Sequence, residues 1–188
     1  MLHFPSIHKK WTLFLDRDGV INQRLPNAYV QHYSAFVFLP QVPQAIALLN
    51  RFFGKCIVVT NQQGIGKKLM TEEDLMLINQ KMREDLQKHN ATIDAVYFAP
   101  DLANSHSLMR KPQIGMALQA KKDFPDINFA QSIMVGDSLS DLQFARNAGM
   151  YSVWINEDVL ATSPLADKVF SSLMAFAEWL KGDSHNCW

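Results

Sequence analysis

Cysteine is scarce in this chain of 188 residues, which contains only two. Cys56 lies in the apolar run Cys56-Ile57-Val58-Val59 and reads as a small buried hydrophobe. Cys187 lies in the polar stretch 182–188, which reads as a tail without function. No disulfide framework is expected. Charge of either sign is not in excess, since Lys+Arg and Asp+Glu both number 18 and the formal net charge is zero. That balance gives no general attraction to nucleic acid or to an anionic membrane. An apolar run of about 18 residues, the length a bilayer demands, does not occur, and residues 1–10 carry no apolar signal core. There is no internal repeat, no low-complexity tract and no linker long enough to divide two domains. The expectation is one cytoplasmic domain over 1–188, with no nucleic-acid or membrane partner and no sequence signal of oligomeric state.

What is present is ordinary globular material, with hydrophobic residues at 48% and charged residues at 19%. Short β-rich runs alternate with helical patterns. Strands are expected at Trp11–Leu15, Cys56–Thr60, Ala95–Ala99, Ser132–Val135, Tyr151–Ile155 and Lys168–Phe170. Helices are expected at Val42–Phe53, at Thr71–Lys88 capped by Thr71, and at Gln113–Phe124 entered through Pro112. Two more are expected, from a cap at Ser140 to Ala148 with Gly149 as the stop, and at Leu173–Leu180. This alternation predicts an α/β fold, a three-layer doubly wound parallel sheet. The long irregular stretches Gly19–Pro40 and Pro100–Lys111 stand out, since such loops in a compact domain are usually functional. Spans 19–55 and 61–94 are too short to hold a large cap domain besides their core elements.

Ligands of open α/β sheets bind beyond the carboxyl ends of the strands, so the residues that follow each strand matter most. They are Asp16-Arg17-Asp18-Gly19, then Thr60-Asn61-Gln62-Gln63-Gly64, then Arg110-Lys111-Pro112 ahead of a helix, then Gly136-Asp137-Ser138 and Asp141. Asp16 and Asp18 are two apart on extended chain and can share a side, although Asp18-Gly19 alone would read as a turn. Nearby carboxylates repel unless one is protonated or a cation lies between them, and Mg2+ prefers such hard oxygen ligands. Asp137 reads either as a helix cap or as a third carboxylate of that site. Thr60 and the N–H groups after it could hold phosphate oxygens, and Lys111 would neutralise a phosphate under attack by a carboxylate. Gly64-Ile65-Gly66-Lys67-Lys68 is too short for a P-loop and reads as a solvated basic turn. Together these groups are what carboxylate-based phosphoryl transfer requires.

The order Asp16-Arg17-Asp18-Gly19-Val20, Thr60-Asn61-Gln62, Lys111 and Gly136-Asp137 with Asp141 resembles the four motifs of the haloacid dehalogenase superfamily over roughly residues 11–155. Phe14 to Asn22, Tyr29-Val30, Phe36 to Pro40, Thr60 to Ile65 and Arg110-Lys111-Pro112 resemble, more narrowly, the capless D,D-heptose bisphosphate phosphatase and histidinol phosphatase family. The resemblance implies that Asp16 attacks phosphorus and ligates Mg2+. Asp18 would be the general acid and base, its main-chain carbonyl touching the metal. Thr60 and Asn61 would hold phosphate oxygens and Lys111 would neutralise them. Asp137 would ligate Mg2+, with Asp141 in support of it or of Lys111. Arg24, Asn27, Gln62, Gln63, Arg110 and Ser138 would face the substrate.

Members of that family commonly hold a structural zinc in the loop before Arg-Lys-Pro. Here Ser107 and Met109 stand at one ligand pair and Phe98 and Pro100 at the other, so no zinc is expected. The partner implied is a small phosphorylated metabolite, first D-glycero-D-manno-heptose 1,7-bisphosphate, with histidinol phosphate or another small phosphate as the alternative. A non-catalytic binding module of the same fold is the reading of another class.

Overall fold

The centre of the sheet is set by four residues, β1 (Thr12–Leu15), which are all buried. In this computed structural model, which describes residues 4–26 and 28–183, β1 pairs in parallel with β2 (Lys55–Asn61) on one side and β4 (Ser132–Gly136) on the other. β3 (Ala95–Ala99) extends the sheet beyond β2, and β5 (Tyr151–Ile155) with β6 (Lys168–Phe170) extend it beyond β4. The order β3-β2-β1-β4-β5-β6 is the doubly wound arrangement expected from the alternation, with all pairs parallel.

Side chains alternate across a strand, so each strand feeds two cores. Leu13 and Leu15 pack with α1 (Val42–Leu49), α3 (Glu72–Gln87) and α6 (Leu173–Asp183). Phe14 packs on the opposite face with α4 (Gly115–Asp123) and α5 (Leu139–Ala148). A sheet covered on both faces needs apolar residues at successive positions, and Cys56 to Val59 supply them. Cys56 is fully buried, and burial pushes its thiol far above the usual range, as befits a core residue. No helix of the described residues is long and apolar enough to cross a membrane.

Four local expectations are corrected. The first helix ends at Leu49, not Phe53, because Asn50 exchanges hydrogen bonds with Thr92 and its carbonyl accepts from Lys9 Nζ. The segment after Lys111 turns once before α4 starts at Gly115, since Gln113 N–H is taken by the Arg110 carbonyl. The N-cap of α5 is Ser138, not Ser140, because the Ser138 hydroxyl and amide both reach the Asp141 carboxylate. The basic turn is a single helical turn, α2 (Gln63–Gly66), closed by Lys67 N–H on the Gln63 carbonyl.

Thr71 caps α3 in a reciprocal box with Asp74, whose carboxyl the main-chain N–H of Thr71 holds below its usual range. Thr71→Ala is expected to lower stability by about 1 kcal/mol. Urea unfolding monitored by circular dichroism measures this, and an unchanged midpoint would show that the box contributes nothing.

Candidate active site

The chain leaves β1 through β2 and β3 on one side and returns to β4 on the other. The carboxyl ends of β1 and β4 therefore flank the crevice where an open sheet binds its ligand. Asp16 follows β1 there, held by its N–H on the Val135 carbonyl. Asp137 follows β4. A cavity of about 530 Å³ opens above them. Asp16, Asp18, Arg24, Thr60, Asn61, Gln62, Gln63, Arg110, Lys111 and Ser138 all line it. Asn27 lies outside the described residues. Asp137 is not part of the lining but sits against it, its Oδ2 3.2 Å from Arg24 Nη1.

Lys111 is the electrostatic centre. Its Nζ is 2.8 Å from Asp16 Oδ1 and 2.6 Å from Asp141 Oδ1, and it donates to the Val59 carbonyl at 2.8 Å. A buried ammonium with three donors thus meets three acceptors. Burial disfavours its charge, but Asp141 and Asp16 more than offset this and raise it above its usual value. Asn61 holds the Lys111 backbone from both sides, accepting from its N–H at 3.0 Å and donating to its carbonyl at 3.2 Å. The Asn61 amide thus braces the cation, a use the motif did not announce.

Asp18 is held by donors alone. Arg17 reaches both of its oxygens at 3.1 to 3.3 Å, Asn22 Nδ2 donates to Oδ1 at 2.8 Å, and Gln62 Nε2 donates to Oδ2 at 2.8 Å. Gln62 also donates to Thr60 Oγ1 at 2.9 Å and is 2% exposed. Its amide hydrogens therefore join Asp18 to Thr60 and face inward, whereas the sequence reading turned them toward substrate. Ser138 is likewise engaged, through its cap on Asp141, while lining the cavity. Lys67, read as solvated, lines it too, with Nζ 5.3 Å from the Tyr29 ring centre. Arg17 and Asn22 carry no role in the sequence motif; a cation between two aspartates is the signal available in the sequence.

Asp16, Asp137 and Asp141 each offer an oxygen within 4.8 Å of the others. Asp137 Oδ1 is buried without a hydrogen-bond partner. Burial pushes the Asp16 carboxyl up to about 7, against the pull of Lys111, and pushes Asp137 up to about 6, against Arg24. An orphaned buried oxygen beside two further carboxylates is a donor set suited to a hard divalent cation. Two close approaches build it. A Cβ on Gly19, at φ +97°, would lie 2.0 Å from Asp137 Oδ2, and one on Gly136 would lie 2.1 Å from Asp141 Cβ.

The loop of residues 100–109 is ordered by hydrogen bonds. Asp101 accepts from Ser107 Oγ at 2.7 Å, the Asp101 carbonyl accepts from Arg110 Nη1 at 3.2 Å, and the Leu102 carbonyl takes both donors of Ser105. Burial lowers the Arg110 guanidinium below its usual value, and no carboxylate pairs with it among the described residues.

An aspartate pair after the central strand, a buried lysine clamped between carboxylates, and a doubly wound sheet that carries them at its switch point define a phosphatase of the haloacid dehalogenase superfamily. A family model described as polynucleotide kinase 3 phosphatase matches residues 11–154. The D-glycero-alpha-D-manno-heptose-1,7-bisphosphate 7-phosphatase of Mycobacterium bovis is 36% identical over 171 residues, covering 89% of this chain and 90% of that protein. The D-glycero-beta-D-manno-heptose-1,7-bisphosphate 7-phosphatase of Vibrio cholerae is 36% identical over 149 residues, covering 75% and 78%. The crystal structure of D,D-heptose 1,7-bisphosphate phosphatase from B. bronchiseptica, complexed with magnesium and phosphate, matches with a TM-score of 0.83 at 32% identity. That match covers 92% of this chain and 99% of the other. The chain belongs to this heptose-bisphosphate phosphatase family.

The raised carboxyls fix a pH response. A folded value above the unfolded one stabilises at low pH, and that contribution is lost as pH rises through the folded value. For Asp137 and Asp16 these values are about 6 and about 7. In EDTA, the melting temperature is expected to fall by on the order of a few degrees between pH 5 and pH 8. A scan showing a flat or rising melting temperature over that range contradicts the assignment.

Proposed function

We propose that this protein is a magnesium-dependent phosphomonoesterase that removes the 7-phosphate of D-glycero-D-manno-heptose 1,7-bisphosphate through an aspartyl-phosphate on Asp16. The observation that carries the chemistry is Lys111 buried between Asp16 and Asp141, with the unpartnered Asp137 oxygen beside them. The names of the relatives support the substrate.

Asp16, Asp137 and the main-chain carbonyl of Asp18 would hold Mg2+, while Asp141 stays on Lys111. When bound, Mg2+ supplies positive charge that pairs the carboxylates and polarises a phosphoryl oxygen. Lys111 fixes one oxygen of Asp16 and neutralises the incoming phosphate. A carboxylate oxygen of Asp16 forms a bond to phosphorus as the ester P–O bond breaks, and Asp18, carrying a proton in the substrate complex, gives that proton to the departing alkoxide. Asp18 then takes a proton from water, whose oxygen attacks phosphorus and releases Asp16 and inorganic phosphate. Thr60 and Asn61 contribute donors to the phosphoryl oxygens. Arg110, with Arg24, Gln63 and Ser138, belongs to the region that meets the sugar and its distal phosphate. Among these, Arg110 and Arg24 bring charge opposite to that phosphate.

The polynucleotide 3-phosphatase description of the family model favours one competing substrate, a 3′-phosphorylated oligonucleotide. Zero net charge argues against it, because polynucleotide affinity rests on neutralising many phosphates.

Phosphate release from both anomers of the heptose bisphosphate, histidinol phosphate, glucose 6-phosphate and a 3′-phosphorylated oligonucleotide, with Mg2+ and with EDTA, separates these readings. The heptose bisphosphate is expected to exceed the others in kcat/KM, with activity lost in EDTA and in Asp16→Asn. Equal turnover by Asp16→Asn would end the covalent mechanism; preference for the oligonucleotide would end the sugar assignment.

The loop of residues 100–109 has its own test. Asp101→Ala removes the acceptor of Ser107. It is expected to raise KM roughly tenfold and leave kcat within about twofold, the pattern of lost ground-state binding. An unchanged KM would show that this loop does not shape the pocket.

A further inference from the structure

Arg17 is fully buried, and Asp18 is the carboxylate its guanidinium pairs with. Nε and Nη2 hold both Asp18 oxygens, while Nη1 donates to Asn79 Oδ1 of α3 at 3.3 Å. The Phe36 ring lies 6.0 Å from the guanidinium carbon and closes its remaining side. The Arg17 carbonyl accepts from the N–H groups of Ile21 and Asn22, so the turn that carries Asp18 is tied to Arg17 by main chain as well. Asp18 retains some exposure, 23% of its side chain, and lines the cavity. A buried cation thus ends on the one carboxylate that must meet the leaving group. Its other side is braced by an amide, 8% exposed, on a helix that contributes nothing else to the site.

We infer that Arg17, braced by Asn79, is a positioning residue that aims Asp18 at the leaving oxygen. This rests on the phosphatase reading above, with Asp18 as general acid. A planar fork that grips both carboxylate oxygens fixes the plane of that carboxyl, which the point charge of lysine does not. The role belongs to proton delivery, so its loss depends on the leaving group. A sugar alkoxide is strongly basic and needs a proton as the P–O bond breaks. 4-Nitrophenolate is weakly basic and departs without one.

The test is single-turnover transfer of phosphoryl to Asp16 in the full-length protein with Mg2+, comparing two donors. One is the heptose bisphosphate, or glucose 6-phosphate if the wild type does not turn over the heptose. The other is 4-nitrophenyl phosphate, read as the rate of nitrophenolate release. In Arg17→Lys, transfer from the alkyl phosphate is expected to slow about a hundredfold, as for a misplaced catalytic group. Transfer from the nitrophenyl ester should stay within about threefold, and KM for both should hardly move. Asn79→Leu keeps Arg17 and Asp18 and serves if Arg17→Lys does not fold. It should show the same selective loss at roughly a tenth of the size. Equal slowing with both donors, or no slowing with either, overturns the positioning role. An Asp16→Asn variant that releases nitrophenolate as fast as the wild type overturns the aspartyl-phosphate reading on which it rests, a failure visible before any Arg17 variant is made.

Discussion

The contact on which the rest depends is the ion cluster of Lys111 with Asp16 and Asp141. Separate parts of the chain meet in it: the residue after β1, the carbonyl of Val59 in β2, the segment before α4, and the first turn of α5. Breaking such a buried cluster by removing one partner leaves an uncompensated charge, which costs several kcal/mol. The cluster is therefore a constraint on the fold as much as a device of the chemistry. The sheet order satisfies it, because β1 lies between β2 and β4 and so brings those segments together.

The parts of this arrangement that were legible in the sequence are those written in short, local code. Buried strands show as apolar runs, and the alternation of strands and helices implies the parallel sheet. The residues after strand ends mark the crevice before any coordinate is known. Asp16 and Asp137 stand directly after strand ends, and Lys111 stands just ahead of a helix. The parts that were not legible depend on partners distant in sequence. Nothing beside Asn61 says that its amide will clasp the backbone of a residue 50 positions later. Gln62 looks free to meet substrate until Asp18 is seen 2.8 Å away. Ser138 and Ser140 are both good caps by composition, and the choice falls to Ser138 because Asp141 stands three residues beyond it. Lys67 reads as solvated because two glycines precede it, yet those residues close a helical turn that carries it to the cavity wall.

The loop before Lys111 is held in another way than the reaction centre. Asp101 and Ser107 are joined to each other, with Arg110 tied to the Asp101 backbone. These are single hydrogen bonds, each worth about 1 kcal/mol, against the several kcal/mol at stake in the buried ion cluster. The consequence lies in local stability. The segment that leads into Arg110 at the cavity wall is held by weaker, more numerous ties than the cluster around Lys111, whose groups are anchored by buried charge. Catalytic geometry and pocket shape therefore rest on different physical supports.

The two close glycine contacts give that division a consequence for substitution. Asp137 lies against the backbone of Gly19 and Asp141 against that of Gly136, at distances that leave no room for a methyl group. Repacking a side chain elsewhere cannot shift these carboxylates, because what they rest on is main chain. Variation is thereby channelled. A substitution in a loop around the cavity alters what the pocket admits, whereas one at Gly19 or Gly136 displaces the carboxylates themselves.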